Sequence, residues 1–298
     1  MSVVAGGALM MAMSPFRPDG SPDIARMEEL ARDATSHGFT GFVVAGGAGE
    51  LADLTGAEVG EFVAAAASGI GQKNVLAAGI YARSGASKLS RELAMAGARA
   101  LLCFADPEPE SDADAGLAEL LEENALGAGL EIIVDHDGGR YTAEGLRVAS
   151  ERHPNLAVKW GAPDLREWGT LRAQLPAVAA WFSGGGDDLA PGFAAQGADG
   201  FTSTAANIAP DAIAVLQQLI ANGRLREAGE WVASHLQPLA SLRSSRPGYV
   251  PAVTKAAMAR LGRAAGEPRI EARRFDDVDD AELATAVAAL RAGVAQGR

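Results

Sequence analysis

The chain has 298 residues, 48% of them hydrophobic and 21% charged, enough apolar material for a sizeable core and too much for a disordered chain. Its formal net charge is -12, which argues against a nucleic-acid partner, since such binding uses clustered Lys and Arg to displace phosphate counterions and no basic stripe occurs. The single cysteine, Cys103, lies in the apolar run Leu101-Leu102-Cys103-Phe104 and has no second cysteine for an intramolecular disulfide, so it reads as a core residue.

The chain opens on MSVVAGGALMMAMSPF, which is apolar but has no basic leader, and no stretch approaches the roughly 20 apolar residues that span a bilayer. The expectation is a cytoplasmic protein without a membrane partner. A first strand is predicted over 7–13. SPDIARMEELARDATSHG then predicts a helix, with Ser21 as its N-cap, a proline in its first turn and a closing glycine. Further strands are predicted over 39–45, 74–80, 98–104, 130–136, 156–160, 178–184 and 200–204, separated by segments of helical spacing. Several are apolar on both faces, as strands between a barrel interior and covering helices must be; an open doubly wound sheet has a similar pattern. Barrels of alternating strands and helices reach this length around one core. After Thr204 the pattern is helical to the end. A barrel needs one helix after its eighth strand, so the remaining helices predict an extension that packs outside or forms a subunit contact. The expected organisation is one structural domain, with the barrel over 1–206 and the last barrel helix plus extension over 207–298. The acidic run from Asp276 to Asp280 reads as a solvated helix start.

In such barrels the reactive groups stand at the C-terminal ends of the strands. Lys159 closes the apolar run LAVK. Flanked by Val158 and Trp160, it has poor access to water, and burial favours the neutral amine that attacks a carbonyl. Pairing with a carboxylate such as Asp135 is the alternative role. GGAGE (46–50) follows strand two, and its glycines let backbone amides approach an anionic ligand; a tight turn without ligand is the competing reading. SGGGDD (183–188) follows strand seven and makes Gly185 a candidate anion contact. Asp135, His136 and Asp137 are chemically suited to a divalent metal, but strand alternation turns His136 away from both neighbours. No metal is therefore expected, and no other cofactor. His37, His153 and His235 read as surface or packing residues.

Taken in order, these segments resemble one family. MAMSPFRPDGSPD resembles the opening V-T-P-F-x-x-D-G-x-x-D of the dihydrodipicolinate synthase and N-acetylneuraminate lyase family, and GFVVAGGAGELADLTGAE resembles its G-x-x-x-x-G-T-T-G-E-x-x-x-L-T-x-x-E segment. NLAVKWGAPD resembles the segment carrying the Schiff-base lysine. SGGGDD, GADGFTSTAANIAP and PAVTKAAMARLG resemble later motifs, so that the likeness runs from about Ala8 to Gly262. The resemblance implies a (β/α)8 TIM barrel of the α/β class with a C-terminal helical extension. It implies a homo-oligomer, tetramer or dimer, and a small-molecule partner, pyruvate or another 2-oxo acid, held as an imine on Lys159. It further implies that the amides around Gly47 and Ala48 bind the substrate carboxylate. Arg140 falls five residues after the strand-five tyrosine position, where synthases bind the second substrate's carboxylate.

The departures bear on the activity. The synthases relay protons through a threonine and two tyrosines; here the threonine pair is Gly47 and Ala48, the P-Y-Y motif is Pro107-Glu108-Pro109, and the strand-five tyrosine is Asp135. A general acid-base group contributes about 10²–10⁴-fold in rate, so a substitute is required, and Asp135 and His136 are the candidates. Thr202 replaces the apolar residue that lines the family's pyruvate pocket, pointing to a different or more polar ligand. The expected function is a Schiff-base lyase acting on pyruvate or a 2-keto-3-deoxy sugar acid, by aldol cleavage, condensation or dehydration. The alternatives are a catalytically silent 2-oxo-acid binder, a 4-hydroxy-tetrahydrodipicolinate synthase with a substituted relay, and a metal-dependent aldolase.

Overall fold

The computed structural model describes residues 6–83, 85–108, 110–137, 139–270 and 274–297; Pro109 of the Pro107-Glu108-Pro109 segment lies outside them. Eight parallel strands close into a barrel in chain order: β1 (Gly7–Met11), β2 (Gly41–Val44), β3 (Val75–Ala82), β4 (Ala100–Ala105), β5 (Glu131–His136), β6 (Ala157–Trp160), β7 (Ala180–Ser183) and β8 (Gly200–Ser203). Closure is made by β1 on β8, with Leu9 in register with Thr202. All eight predicted strands are present. Their ends shift by up to two residues, and at β3 the shift matters: the strand runs on to Ala82 and carries Tyr81 with it.

Between the strands lie α1 (Ile24–Ser36), α2 (Gly56–Gly69), α3 (Ala86–Ala96), α4 (Ala113–Gly127), α5 (Ala143–Arg152), α6 (Leu165–Gln174) and α7 (Ala190–Ala195). Asp23, not Ser21, caps α1, its carboxylate accepting from the Arg26 N–H at 3.2 Å. Ser21 instead bonds to Asp19, because an antiparallel bridge between Phe16 and Pro22 keeps the chain extended past the serine. Thr55 and Glu58 form a reciprocal capping box at α2. Arg269, donating to Glu58, is the main cause that holds the Glu58 carboxyl down to about 2.

Strand alternation sorts the core into two compartments. Leu9, Met11, Val43, Leu102, Ile133 and Phe182 fill the barrel interior with small alanines between them, while Met10, Phe42, Val134, Val158 and Trp160 point outward into the helical layer. Each large side chain sealed in this way contributes about 1.5–3 kcal/mol. Phe182, fully buried and in register with Lys159, helps fill the floor beneath it. Cys103 is buried, and desolvation pushes its thiol far up, as expected of an inert core residue.

Beyond β8 come α8 (Pro210–Ala221), α9 (Leu225–Trp231), a π-helical turn (Val232–Leu236), α10 (Gln237–Ser244), α11 (Val250–Arg260) and α12 (Asp280–Ala292). The extension reaches back into the barrel's upper loops through two buried cations. Arg243 on α10 donates to Asp187 Oδ2 at 2.8 Å and to Thr204 Oγ1 at 2.6 Å. Lys255 on α11 pairs with Glu50, and both are almost completely enclosed. Burial outweighs their mutual attraction, raising the Glu50 carboxyl and lowering the Lys255 amine. Removing one partner of such a pair strands a buried charge, so the extension is part of what fixes these loops. The acidic run leads into α12, as its sequence reading expects, with Asp276, Asp277 and Asp280 exposed; Asp276 caps a short turn at 277–279, and Asp279 accepts from Arg246 and from Tyr249 Oη, each at 2.6 Å. Among the described residues, no helix is long and apolar enough to cross a membrane.

Candidate active site

Lys159 lies in β6 with its side chain on the inward face, in register with Asp135 of β5. Its Nζ donates to both carboxylate oxygens of Asp135 at 3.0 Å, and only about a tenth of either side chain is exposed. The pair stands at the C-terminal end of its strands, on the wall of a cavity of about 430 Å³ that Tyr81, Phe104, Asp106, Asp137 and Arg140 also line. Larger hollows, of about 640 Å³ beside α4 and α5 and about 740 Å³ beside the residue 16–20 loop, do not contain Lys159.

Room for the amine depends on Gly184. A Cβ built there would lie 2.5 Å from Lys159 Cε and 2.7 Å from Nζ. Because the obstructed atoms, Cγ at 2.7 Å among them, all belong to the Lys159 side chain and none to backbone, Gly184→Ala is expected to fold, with the lysine displaced from its present rotamer. Its activity is expected to fall about 10²-fold, the usual effect of an ångström-scale misplacement. Turnover and thermal denaturation of the same preparation check this. The sequence pointed to Gly185, but the structure places Gly184 on the cavity wall; Gly185 packs against the carbonyls of Gly161 and Ala162.

The GGAGE turn is held from three sides. Ser14 donates to Gly49 O at 2.6 Å, and Gly49 sits so close to β1 that a Cβ would approach Ala12 O to 2.3 Å. Glu50 carries the buried pair with Lys255. Ala45 and Glu50 flank the turn in the left-handed region, at φ of 55° and 65°, a conformation costing non-glycine residues on the order of 1–3 kcal/mol. The N–H groups of Gly47 and Ala48 find no acceptor among the described residues. A Cβ built on Gly47 would come to 3.5 Å from the ring of Phe104, which also lines the cavity.

Arg140 lines the cavity and donates through Nη2 to Glu108 O at 2.9 Å and to Ser111 Oγ at 2.7 Å, tying the loop after β5 to the loop after β4. Thr202 is buried on the inward face, its Oγ1 donating to Ser183 O at 3.4 Å. In the loop after β7, Asp187 accepts from Ser203 Oγ and Arg243, so the conspicuous aspartate of SGGGDD braces a loop rather than the cavity. Asn207 joins β1 to the segment after β8, accepting from Met13 N and donating to Met11 O.

His136 is brought nowhere near Lys159. It lies on the outer face of β5, its ring 5.3 Å from Trp160 and 6.4 Å from Tyr141, and its Nδ1 has no partner among the described residues. It cannot pass a proton directly to the cavity or share a ligand set with Asp135 and Asp137. Among the described residues, no group of three or more His, Cys, Asp or Glu side chains is arranged to hold a metal ion. Desolvation pushes the His136 imidazole below its ordinary 6.5. Stability from keeping it neutral is fully present above about pH 6.5 and is lost as pH falls from there toward the lowered folded value, at no more than about 1.4 kcal/mol per pH unit. The thermal midpoint is expected to drop across that window, and to drop less in His136→Leu; equal slopes would contradict this, and His153, also lowered by burial, is common to both proteins.

The pattern that ends strand three at Ile80 leaves Tyr81 outside it, whereas the strand runs on to Ala82. The signal was present: a polar residue closing the apolar run VLAAGIY. It shares the inward face with Ala77, and its ring meets that of Phe104 edge-on at 6.3 Å.

The chain is thus a (β/α)8 barrel with a buried lysine–carboxylate pair on a cavity at its C-terminal end. The model of the dihydrodipicolinate synthetase family matches residues 143–288. A 4-hydroxy-tetrahydrodipicolinate synthase of Stenotrophomonas maltophilia is 30% identical over 267 residues, covering 86% of both chains. A probable 5-dehydro-4-deoxyglucarate dehydratase of Saccharopolyspora erythraea is 28% identical over 286 residues, 94% of this chain and 91% of its own. A dihydrodipicolinate synthase crystal structure from Bacillus clausii superposes with a TM-score of 0.87 at 23% identity, over 97% of this chain and 99% of that one. The chain belongs to the dihydrodipicolinate synthetase family and is a lyase of that family.

Proposed function

We propose that the protein forms a Schiff base between Lys159 and the carbonyl of a 2-oxo acid and uses it for carbon–carbon or carbon–oxygen lysis of a 2-keto-3-deoxy sugar acid. The observation that carries this reading is the enclosed ion pair, with Lys159 Nζ at 3.0 Å from both oxygens of Asp135 on a cavity wall. Asp135 accepts an ammonium proton, the freed amine adds to the carbonyl, and the resulting iminium withdraws electrons from C3 so that a bond there can break. Gly47 and Ala48 are the amides proposed for the substrate carboxylate, and Arg140 is proposed for an anionic or hydroxylated distal end. The sugar-acid assignment rests on the polar lining by Asp106, Asp137 and Arg140 and on the likeness to probable 5-dehydro-4-deoxyglucarate dehydratases. We take the enzyme to act in the cytoplasm as a homo-oligomer.

A panel of 2-oxo acids with borohydride tests the assignment. Time-dependent inactivation that requires both reagents is the expected result, fastest with a 2-keto-3-deoxy sugar acid; inactivation by none of them would contradict it. The bidentate contact also favours a second reading, a binder in which Asp135 locks Lys159 as the ammonium. That protein would bind 2-oxo acids without ever being inactivated.

A further inference from the structure

Converting an ammonium and a ketone into an iminium and water moves two protons from nitrogen to the departing oxygen. Asp135 touches the nitrogen and can carry one. The remaining polar groups on the cavity wall are poor carriers of the other. Asp106 accepts from the Glu108 N–H at 3.1 Å and Asp137 from the Gly139 N–H at 3.2 Å, so each carboxylate is turned to the backbone of its own loop. Arg140 is braced against the loop after β4, and a guanidinium does not release its proton in a protein. His136 faces the opposite side of β5. Among the described residues lining the cavity, Tyr81 alone bears a hydroxyl, and β3 stands three strands round the barrel from β6, so the phenol approaches from a different wall than the amine.

We propose that Tyr81 is the second proton carrier of imine formation, a catalytic residue supplied by β3 in place of the missing threonine and tyrosines. The inference rests on the Schiff-base reading above. As Lys159 Nζ bonds to C2, Asp135 takes one ammonium proton. Tyr81 gives its phenolic proton to the C2 oxygen and recovers one from the nitrogen of the addition product. Asp135 then returns its proton to the same oxygen, the C2–O bond breaks, and water leaves with both protons. Nitrogen keeps one proton and the positive charge, and Tyr81 and Asp135 are back in their starting states. The edge-on Phe104 ring and the Arg83 guanidinium, 5.9 Å from the Tyr81 ring centre, hold the phenol in place.

The test is rapid mixing of the full-length enzyme with pyruvate, borohydride quenching at intervals, and intact-mass measurement of the adduct, on wild type and Tyr81→Phe. The variant is expected to reach the same final extent of adduct at the same half-saturating pyruvate, with a maximal rate about 10²-fold lower. A maximal rate within about threefold of wild type, or a loss explained by a raised half-saturation, overturns the role of Tyr81. A second arm covers a variant that does not fold. The sequence has three tyrosines; Tyr249 stacks on Phe275 in the extension, and Tyr141, whose phenol interacts with Asp135 and Arg140, is removed in a Tyr141→Phe background, so fluorotyrosine labelling of that protein perturbs the cavity through Tyr81. The pH profile of adduct formation is expected to shift with the added acidity of the phenol, and an unchanged profile overturns the proposal. A wild type that forms no adduct with any 2-oxo acid overturns the Schiff-base reading itself, an outcome distinct from the others.

Discussion

Lys159→Ala is expected to form no borohydride-stable adduct and to lose at least about 10³-fold in turnover of a 2-keto-3-deoxy sugar acid, since no other group can supply the covalent electron sink. Among the described cavity-lining residues Lys159 is the only amine. Lys255, the other buried lysine, is sealed against Glu50 and Phe16. The substitution leaves the Asp135 carboxylate about nine-tenths buried without its partner, so a stability cost approaching the roughly 3–5 kcal/mol of breaking a buried pair is expected. A folded Lys159→Ala protein with near-normal turnover would remove the imine mechanism.

Asp135→Asn keeps the size and most of the packing but removes the proton acceptor. The expected result is a maximal rate about 10²–10⁴-fold lower with little change in half-saturating substrate, the signature of a group that acts in the transition state rather than in binding. The contrast with His136→Leu is instructive. That side chain is adjacent in sequence, yet its ring lies among Trp160 and Tyr141, and the substitution is expected to alter the pH dependence of stability and leave the maximal rate near that of wild type. Steady-state kinetics of the two variants side by side measure this difference.

The barrel was legible because its physical signature is local. Apolar runs such as ALMM and AVKW, separated by segments of helical period, can bury both faces only between an interior and a helical coat. Lys159 and Asp135 were legible for a related reason: each ends such a run, and register then places them side by side. What the sequence hid was tertiary. Glu50 meets Lys255, and Asp187 meets Arg243, across long chain separations that no period encodes. Tyr81 was missed through a strand end misplaced by two residues, since whether a residue closes a strand or begins a loop depends on ladder bonds to β4, where Tyr81 pairs with Phe104. Gly184 escaped because its significance lies in the space it leaves for another side chain.

The most direct test of the central claim is peptide mapping by mass spectrometry after incubation with pyruvate and borohydride. The account predicts a single reduced adduct, located on Lys159 and absent when pyruvate is omitted. No adduct, or one located on another lysine, would contradict it.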